Sequence, residues 1–438
     1  MTRKPVLAVC AALALAAAAP PAASAAGGLA ELQADLAHQL QIAGTRSSAY
    51  VYDLTAKQAL FSERATAMRP PASVQKLYTA TTALARFGPT TRLPTTVLGS
   101  GQLNPGGVWE GDLYLRGGGY PTFGSTSFIR RHYGGLGASV STLVSQLVNT
   151  DGIHSITGSV YGDEGYLNAL RGEPSSGFAP DFFLEGTLSG LAFDRGASGS
   201  ERGPHAPAAY AARKLWATLK SAGVSIRGRS AAASAPLGAT EIARVSSPTV
   251  SQLVGLMLPP SDNFFAETLL KDLGAAYGGA GSTAAGASVV GQTISTMLGF
   301  KPRVVDGSGL SEADRTSTYQ VADLLVVLAP TPTGALLRSS LAVAGRTGTL
   351  AKRMRRTAAA GRCQGKTGTL TGYSNLVGYC QAANGHLLAF AFFNDGISTS
   401  LAHRIQDHMT ITLAGSNDGL PAKAARTRFP PLVVHNGS

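Results

Sequence analysis

Three short polar motifs, widely separated along the chain, constrain the fold of this 438-residue sequence more than any other feature. In chain order they are Ser73-Val74-Gln75-Lys76, Ser261-Asp262-Asn263 and Lys366-Thr367-Gly368. Their side chains can attack a carbonyl or move a proton, but such chemistry needs several of them within hydrogen-bond reach of one another. If the motifs act together, the fold must bring the beginning, middle and end of the chain to one cleft.

The first motif has the geometry that a serine nucleophile needs when a lysine is its base. Pro70 and Pro71 hold the chain extended before a predicted helix, on which Ser73 and Lys76 share a face one turn apart. Lys76 can take a proton only when neutral, so burial and a neighbouring cation must lower its pKa from about 10.4. The motif alone also fits a helix-capping serine followed by a solvated lysine.

The other two motifs fall in settings that suit the same chemistry. The second motif precedes a predicted helix, where it is also an ordinary helix cap. The third lies in the first of three predicted strands, at 363–371, 375–379 and 387–393. In this order and setting, the three motifs are similar to the signature set of penicillin-binding proteins and serine β-lactamases.

Further stretches narrow this resemblance. Residues 306–311 (DGSGLS), residues 111–119 (GDLYLRGGG) and the long interval between the first two motifs resemble the D-alanyl-D-alanine carboxypeptidase/endopeptidase family. This is the family of class C low-molecular-mass penicillin-binding proteins, peptidase family S13, and the resemblance runs from residue 45 to residue 395. It implies an α/β fold, in which helices flank a five-stranded antiparallel sheet and a β-rich domain is inserted.

The resemblance also implies catalytic roles. Ser73 attacks the substrate carbonyl after Lys76 takes its proton, and the N–H groups of Ser73 and Thr369 hold the oxyanion. Ser261 relays a proton to the departing amine. Asn263 hydrogen-bonds the substrate amide or Lys76 itself.

Substrate binding is implied at the third motif and in the inserted region. Lys366 is expected to be a catalytic cation that lowers the pKa of the base, and it also suits the carboxylate of a terminal D-alanine. Thr367, Gly368 and Thr369 are expected to bind the same carboxylate. Asp163 resembles the acid with which the family binds the free amine of the stem-peptide side chain; the alternative is a solvated aspartate at a strand end.

Two segments imitate catalytic motifs. Residues 164–168 (EGYLN) match the E-x-x-L-N loop with which class A β-lactamases activate water, but here they precede the second motif. Residues 345–350 (GRTGTL) nearly repeat residues 365–370 (GKTGTL), and strands follow only the later copy, so we assign the third motif to Lys366. Glu312, where several relatives have arginine, and Tyr120, in place of the usual acid, leave the side-chain specificity open.

The first 25 residues have the pattern of a secretory signal peptide. Arg3 and Lys4 precede an apolar run at 6–19, and Ala23-Ser24-Ala25 offers a small-x-small cleavage site. The run is shorter than the roughly 20 residues of a spanning helix, although an N-terminal membrane anchor is the alternative. We expect export to the periplasm or the extracellular cell-wall space, with no stable membrane anchor after cleavage.

Charge and composition favour some partners over others. The net charge is +12, but the positive residues are scattered without interleaved aromatics, so we expect no nucleic acid and favour an anionic envelope polymer. Histidines are dispersed and no C-x-x-C occurs, so no metal or cofactor is predicted. After Cys10 is lost with the leader, Cys363 and Cys380 can pair in an oxidising compartment or remain two separate thiols.

The predicted organisation has four parts. They are a signal peptide at 1–25, a penicillin-binding (transpeptidase-like) domain at 26–94 and 241–425, an inserted β-rich unit at 95–240, and a tail at 426–438.

The predicted function is that of an exported serine D-Ala-D-Ala carboxypeptidase, with D,D-endopeptidase activity as an extension. It would trim peptidoglycan stem peptides through an acyl-Ser73 intermediate and would be acylated by β-lactams. One alternative is a β-lactamase or esterase on the same scaffold. Another is a non-catalytic cell-wall-binding protein, against which the three intact motifs argue.

Overall fold

The structure is a computed structural model that describes residues 23–196 and 206–423. The predicted signal peptide lies outside the described residues except for its last three positions, and the predicted tail at 426–438 lies wholly outside them. Within the described ranges, no single helix combines the length and apolar character of a membrane span. Helices Thr318–Leu328 and Pro332–Ser339 meet that criterion only together, across a 117° bend.

Strands and helices alternate irregularly along the chain. The strands are β1 Ser48–Asp53, β2 Gln58–Glu63, β3 Pro94–Leu103, β4 Val108–Gly117, β5 Phe123–Gly124, β6 Ala138–Ser139, β7 Ser155–Ile156, β8 Val160–Asp163, β9 Ser225–Ile226, β10 Ser230–Ala232, β11 Thr240–Ser246, β12 Ala342–Val343, β13 Cys363–Leu370, β14 Tyr373–Gln381 and β15 Leu387–Asp395. The helices are α1 Ala23–Ala43, α2 Lys76–Arg86, α3 Thr126–Tyr133, α4 Val140–Ser145, α5 Pro207–Ser221, α6 Val250–Met257, α7 Asn263–Tyr277, α8 Thr283–Leu298, α9 Thr318–Leu328, α10 Pro332–Ser339 and α11 Thr399–Gly415.

The first sheet joins strands from both ends of the described chain. Its order is β12-β13-β14-β15-β1-β2, and every neighbouring pair is antiparallel. The predicted α/β fold class is confirmed, but the predicted count of five strands is wrong. In the described part of the chain β12 adds a sixth strand at the edge. A strand of two residues carries no periodic signal by which the sequence could reveal it.

Strand β15 lies in the middle of this sheet and is buried on both faces. Leu388, Phe390 and Phe392 point into a core shared with α1 and α11, while the alternate residues Ala389 and Phe393 point into the opposite core. The two-residue period of a strand explains the division, since successive side chains leave opposite faces. The opposite core includes residues of α2, α7 and α9, the helices that surround the candidate site.

A second sheet is formed by the chain between the first two motifs. Its order is β10-β8-β4-β3-β11, and β7 joins it by pairing with β4 and β9. Helices α3 to α5 come from the same part of the chain. Because β11 pairs with β3 in this sheet, we propose that the inserted unit spans 94–246 rather than 95–240.

Candidate active site

Ser73 lies in a 3₁₀ turn, Ala72–Gln75, that runs directly into α2. The Nζ atom of Lys76, the first residue of α2, lies 3.0 Å from Ser73 Oγ. Ser73 is half-buried, so its hydroxyl can meet a substrate, whereas Lys76 is fully buried. The predicted nucleophile and base are therefore neighbours on one rigid element.

The neighbouring strand β14 holds this turn in place. Asn375 Nδ2 donates hydrogen bonds to the carbonyl oxygens of Pro70, at 3.0 Å, and Pro71, at 2.9 Å. Ala72 has a φ of 47°, a backbone region that residues with a Cβ avoid. Such a conformation persists where surrounding contacts determine it, and here the side-chain amide of Asn375 supplies two of them.

The buried amine of Lys76 lies within hydrogen-bond distance of three oxygen atoms. Besides Ser73 Oγ, these are Asn263 Oδ1, at 2.6 Å, and the main-chain oxygen of Ser308, at 2.8 Å. The charged amine can donate to all three, whereas the neutral amine can donate to Asn263 and Ser308 and keep its lone pair for the proton of the Ser73 hydroxyl. The first and second motifs thus meet at one nitrogen atom.

Burial lowers the pKa of Lys76 to about 7, although the negative charges of Asp306, Glu267 and Glu185 oppose the shift. Desolvation disfavours the charged form of an amine, and here it outweighs the attraction of the three carboxylates. A pKa near 7 keeps a large fraction of the amine neutral at neutral pH, as a base requires.

The loop that carries Ser308 is held by two buried carboxyl groups. Glu267 Oε1 accepts the N–H groups of Gly307, at 2.9 Å, and Ser308, at 2.7 Å. Asp306 accepts the N–H group of Gly309 at 2.6 Å. Burial, followed by the charge of Asp306, raises the pKa of Glu267 to about 8. Asp306 therefore holds the peptide between Ser308 and Gly309, whose oxygen receives the amine of Lys76, and Glu267 holds the two peptides before it.

The second and third motifs meet at a second buried amine. Lys366 Nζ donates to Ser261 Oγ, at 2.8 Å, and to the main-chain oxygen of Thr367, at 2.7 Å. Burial lowers the pKa of Lys366 well below its usual value, and the charge of Lys76 lowers it further. Ser261 itself has a φ of 68°, which turns the chain sharply just before α7.

Strand β13 passes so close to the nucleophile that it needs a glycine there. A Cβ atom added to Gly368 would lie 3.2 Å from Ser73 N and 2.5 Å from the oxygen of Pro71. The neighbours of Gly368 differ in exposure: Thr367 is buried and Thr369 is exposed. The predicted substrate-binding residues therefore line the strand beside Ser73.

The earlier copy of the third motif also reaches this strand. Thr367 Oγ1 donates to Thr349 Oγ1 at 2.9 Å, and the N–H group of Thr349 donates to the oxygen of Pro259. Residues 345–350 therefore contact β13 and support it, whereas Lys366 of the later copy supplies the amine beside Ser261.

The inserted unit contributes one wall of the site. Asp262 caps α7 by accepting the N–H group of Phe265, and its other oxygen pairs with Arg195. Asn263 Nδ2 donates to the main-chain oxygen of Phe183 at 2.7 Å. Both Arg195 and Phe183 belong to the chain between the first two motifs, so this unit contacts the second motif directly.

Asp163 is buried rather than solvated at the end of its strand. It is 3% exposed, and its carboxylate accepts Arg116 Nε at 2.8 Å and the N–H groups of Gly165, at 2.9 Å, and Ala235, at 3.0 Å. Burial alone would raise the pKa of Asp163, but these N–H donors and the guanidinium lower it overall. The carboxylate is thus held in place by internal donors, and its contact with a substrate amine stays a prediction.

The segment that imitates a class A β-lactamase loop is engaged in internal contacts. Glu164 binds both terminal nitrogens of Arg171, at 2.8 and 2.6 Å, and also accepts the hydroxyl group of Ser189. Asn168 accepts the buried amine of Lys271 at 2.8 Å. The contact of Asn168 with Lys271 ties the inserted unit to α7, and the contacts of Glu164 lie within the unit itself.

The two remaining cysteines face each other on neighbouring strands. Cys363 of β13 and Cys380 of β14 are register partners and form a disulfide in the structure. The bond closes the end of the strand pair that holds Lys366.

Among the described residues, one group could hold a metal ion: Asp53, His386 and Asp418. It lies at the far end of the sheet, because Asp53 is opposite Leu388 whereas the strand end near Asn375 is opposite Phe393. His386 Nδ1 is 2.6 Å from Asp53 Oδ2, so the group is also explained as a buried hydrogen-bonded pair.

Comparison with known proteins gives a consistent result. A model of the D-Ala-D-Ala carboxypeptidase 3 (S13) family matches residues 29–177 and 184–415. The D-alanyl-D-alanine carboxypeptidase of Actinomadura sp. (strain R39) is 34% identical over 218 residues, which cover 48% of this chain and 40% of that enzyme. This alignment therefore spans less than half of the relative's length. Carboxypeptidase Rv3627c of Mycobacterium tuberculosis is 29% identical over 343 residues, or 74% of this chain and 71% of the relative.

Solved structures share the same fold. Penicillin binding protein 4 (dacB) of Haemophilus influenzae superimposes with a TM-score of 0.71 at 18% identity, covering 85% of this chain and 97% of that protein. Bd3459, a predatory peptidoglycan endopeptidase of Bdellovibrio bacteriovorus, gives a TM-score of 0.54 at 17% identity, covering 88% and 96%. At these identities the likeness concerns the fold.

Proposed function

Because the chain belongs to the D-Ala-D-Ala carboxypeptidase 3 (S13) family, we propose that it is an exported serine D-Ala-D-Ala carboxypeptidase acting on peptidoglycan stem peptides. The observation that carries this proposal is the buried amine of Lys76, 3.0 Å from Ser73 Oγ and held by Asn263 and the oxygen of Ser308. The same acyl-transfer chemistry would serve D,D-endopeptidase cleavage of cross-links.

The reaction begins with activation of the nucleophile. Neutral Lys76 accepts the proton of the Ser73 hydroxyl as Oγ forms a bond to the carbonyl carbon of the penultimate D-alanine. The N–H groups of Ser73 and Thr369 stabilise the negative charge on the carbonyl oxygen. Burial lowers the pKa of Lys76 to about 7, so a large fraction of its amine is neutral at neutral pH and can accept this proton.

Collapse of the tetrahedral intermediate needs a proton on the departing nitrogen. Ser261 is the proposed relay, since its Oγ lies 2.8 Å from Lys366 Nζ and can be reprotonated as it gives up its own proton. The C–N bond breaks, the terminal D-alanine leaves as a neutral amine, and the acyl group remains on Ser73. Water then attacks the ester carbon and gives up a proton, which returns through Ser261 to the amine of Lys366. As the C–O bond of the ester breaks, Lys76 returns its proton to Ser73 Oγ, so that the hydroxyl group and both amines regain their starting states.

The third motif is proposed to bind the terminal carboxylate. Thr367 and Thr369 offer hydroxyl groups on the strand beside Ser73, and Gly368 allows that strand to approach within van der Waals distance. Lys366 lies at the same place, and a substrate carboxylate would favour its charged form. Binding of the substrate carboxylate would therefore be coupled to protonation of Lys366.

The location and the remaining partners are part of the same proposal. Residues 1–25 have the signal-peptide pattern, so we propose export to the space that contains peptidoglycan, without a membrane anchor after cleavage. β-Lactams are proposed as covalent inhibitors, because their carbonyl and carboxylate groups can occupy the same positions as those of D-Ala-D-Ala.

Intact-mass analysis after benzylpenicillin treatment tests the proposal. We expect wild type and Ser221→Ala, a control at an exposed serine of α5, to gain one penicillin mass and Ser73→Ala to gain none. Release of D-alanine from diacetyl-L-Lys-D-Ala-D-Ala should follow the same pattern. Rapid steady turnover of penicillin would favour a β-lactamase instead, and an unmodified wild type would favour a non-catalytic wall-binding protein.

A further inference from the structure

The side chain of Arg195 extends from the inserted unit to the second motif. It is 12% exposed, and one terminal nitrogen pairs with Asp262 while the other pairs with Glu185 at 3.3 Å. Its Nε atom donates to the hydroxyl oxygen of Tyr133 at 2.8 Å. A guanidinium is planar and its N–H donors have a fixed geometry. Three partners on three different nitrogen atoms therefore determine both the position and the orientation of this group.

Aromatic rings enclose the same guanidinium. Its carbon atom lies 5.4 Å from the ring centre of Phe264, 5.5 Å from that of Phe265 and 5.7 Å from that of Tyr133. Both phenylalanines are fully buried in the first turn of α7. A cation over aromatic faces is attracted more strongly where water is excluded. Arg195 thus contacts the start of α7 through aromatic rings as well as through a carboxylate.

The backbone that carries this side chain is held in an unfavourable conformation. The adjacent residues Asp194 and Arg195 have φ values of 49° and 59°, a region that residues with a Cβ avoid. Hydrogen bonds hold both of them, because Asp194 Oδ1 accepts the N–H group of Ser125 at 2.7 Å and the oxygen of Arg195 accepts that of Thr187 at 2.9 Å. Strain that neighbouring contacts maintain in this way is found where function needs a fixed geometry.

Asp262, the partner of Arg195, is shared between the inserted unit and α7. One of its oxygens pairs with Arg195, and the other accepts the N–H group of Phe265 at 3.0 Å. Its side chain is only 10% exposed. A buried carboxylate without its cation is strongly unfavourable, so the pair keeps the second motif and the inserted unit together.

The neighbours of Asp262 in the chain are the two predicted catalytic residues of the second motif. Ser261 Oγ accepts the amine of Lys366 at 2.8 Å, and Asn263 Oδ1 accepts the amine of Lys76 at 2.6 Å. Because peptide bonds join all three residues of the motif, a displacement of Asp262 changes both of these contacts.

We propose that Arg195 is a positioning residue of the reaction, which holds Asp262 so that Ser261 and Asn263 keep their contacts with the two buried amines. Arg195 itself touches no reacting atom and acts through Asp262. The inference rests on the proposed function, to which it adds a requirement: acylation of Ser73 depends on docking of the inserted unit against α7.

Benzylpenicillin acylation at several pH values tests the inference. In Arg195→Met we expect the plateau rate constant to fall by about tenfold to a hundredfold, since small displacements of catalytic groups have effects of this size. The midpoint should move to higher pH, because the charge of Glu185, which favours the charged form of Lys76, loses its partner. Arg195→Lys keeps the charge but not the planar fork, so its midpoint should stay while its plateau falls by about threefold or more.

Arg171→Met is the matched control. Arg171 is another guanidinium of the inserted unit, 16% exposed, and both of its terminal nitrogens bind Glu164 of the same unit. We expect this variant to unfold at a lower denaturant concentration than wild type but to keep the wild-type acylation profile. Wild-type profiles in Arg195→Met or Arg195→Lys would reduce Arg195 to a structural role and overturn the inference while the proposed function stands. An unacylated wild type would overturn both.

A double-mutant cycle tests whether Arg195 acts through its partner. Asp262→Asn keeps an oxygen for the N–H group of Phe265 but removes the charge that Arg195 binds. If the two side chains act as a unit, adding Arg195→Met to Asp262→Asn should lower the plateau by no more than about twofold further. Losses that multiply in the double variant would show independent effects and overturn the inference.

Discussion

The amine nitrogen of Lys76 lies 3.0 Å from the hydroxyl oxygen of Ser73, at the junction of a 3₁₀ turn and α2. Neither residue could act alone, because a serine hydroxyl is a poor nucleophile and a solvated lysine is protonated at neutral pH. Complete burial of the amine lowers its pKa to about 7, so that its neutral form can accept the proton of the Ser73 hydroxyl.

The pH dependence of acylation should report this burial. Only neutral Lys76 can accept the proton of Ser73, so the second-order rate constant with benzylpenicillin should rise with pH and level off above a midpoint near 7. Below the midpoint the rate should fall about tenfold per pH unit. Stopped-flow or quenched-mass measurements between pH 5 and pH 9 would check this. A flat profile over that range would contradict a lysine base with a lowered pKa.

Glu267 should act as a positioning residue through its hydrogen bonds rather than through its charge. Glu267→Gln keeps an oxygen for the N–H groups of Gly307 and Ser308 and removes only the charge that Glu267 acquires above its pKa of about 8. Glu267 is mostly uncharged at the midpoint near 7, so we expect Glu267→Gln to keep that midpoint and most of the plateau rate.

Glu267→Ala removes the acceptor as well and leaves two buried N–H groups without a partner. We expect the free energy of unfolding to fall by about 1–3 kcal/mol and the plateau rate to fall at least about tenfold. Denaturant titration and the same acylation profile would measure the two effects. Identical profiles for the Gln and Ala variants would argue against a role for these hydrogen bonds.

Gly368 should tolerate no side chain. An alanine Cβ there would lie 2.5 Å from the oxygen of Pro71 and 3.2 Å from Ser73 N, so β13 or the 3₁₀ turn must move. We expect Gly368→Ala to slow acylation by about tenfold to a hundredfold, since displacements of this size disturb attack geometry. Gly415→Ala is the matched control, because its added Cβ meets no atom within 4 Å. Wild-type rates in Gly368→Ala would contradict the close approach.

The disulfide should support the strand pair that holds Lys366. Cys363 and Cys380 are separated by 17 residues in sequence, and closing a loop of that size typically stabilises a domain by about 2–4 kcal/mol. We expect Cys363→Ser and Cys380→Ser each to lower the free energy of unfolding by an amount in this range. Non-reducing peptide mapping of the purified protein should recover the two cysteines as one linked peptide, and recovery of both as free thiols would refute the bond.

Much of the fold could be predicted because local sequence patterns determine the strands and turns. The runs at 363–371, 375–379 and 387–393 became β13, β14 and β15, and Asn384-Gly385 marked the turn between the last two. The three motifs likewise carry their chemistry in short windows. Their side chains could therefore be named before any long-range contact was known.

The rest depends on contacts that leave no local trace. The Ser308 oxygen that accepts from Lys76 is a main-chain atom. Every residue has such an oxygen, so the sequence does not single this one out. Glu267 had a usable signal, since it lies four residues after Asn263 on one face of α7. Arg195 had none, because its pairing with Asp262 depends on how the inserted unit packs. The internal contacts of Asp163 had none either, because its partner Arg116 comes from the paired strand β4.

The position of β15 between β14 and β1 has a consequence for biogenesis. Ser48 near the N-terminus is the register partner of Phe393, so the first hairpin has no sheet to join until the last strand has been made. An isolated two-stranded hairpin is marginally stable in water. A nascent chain would therefore carry its serine and lysine without a completed site until the C-terminal strands have been synthesised.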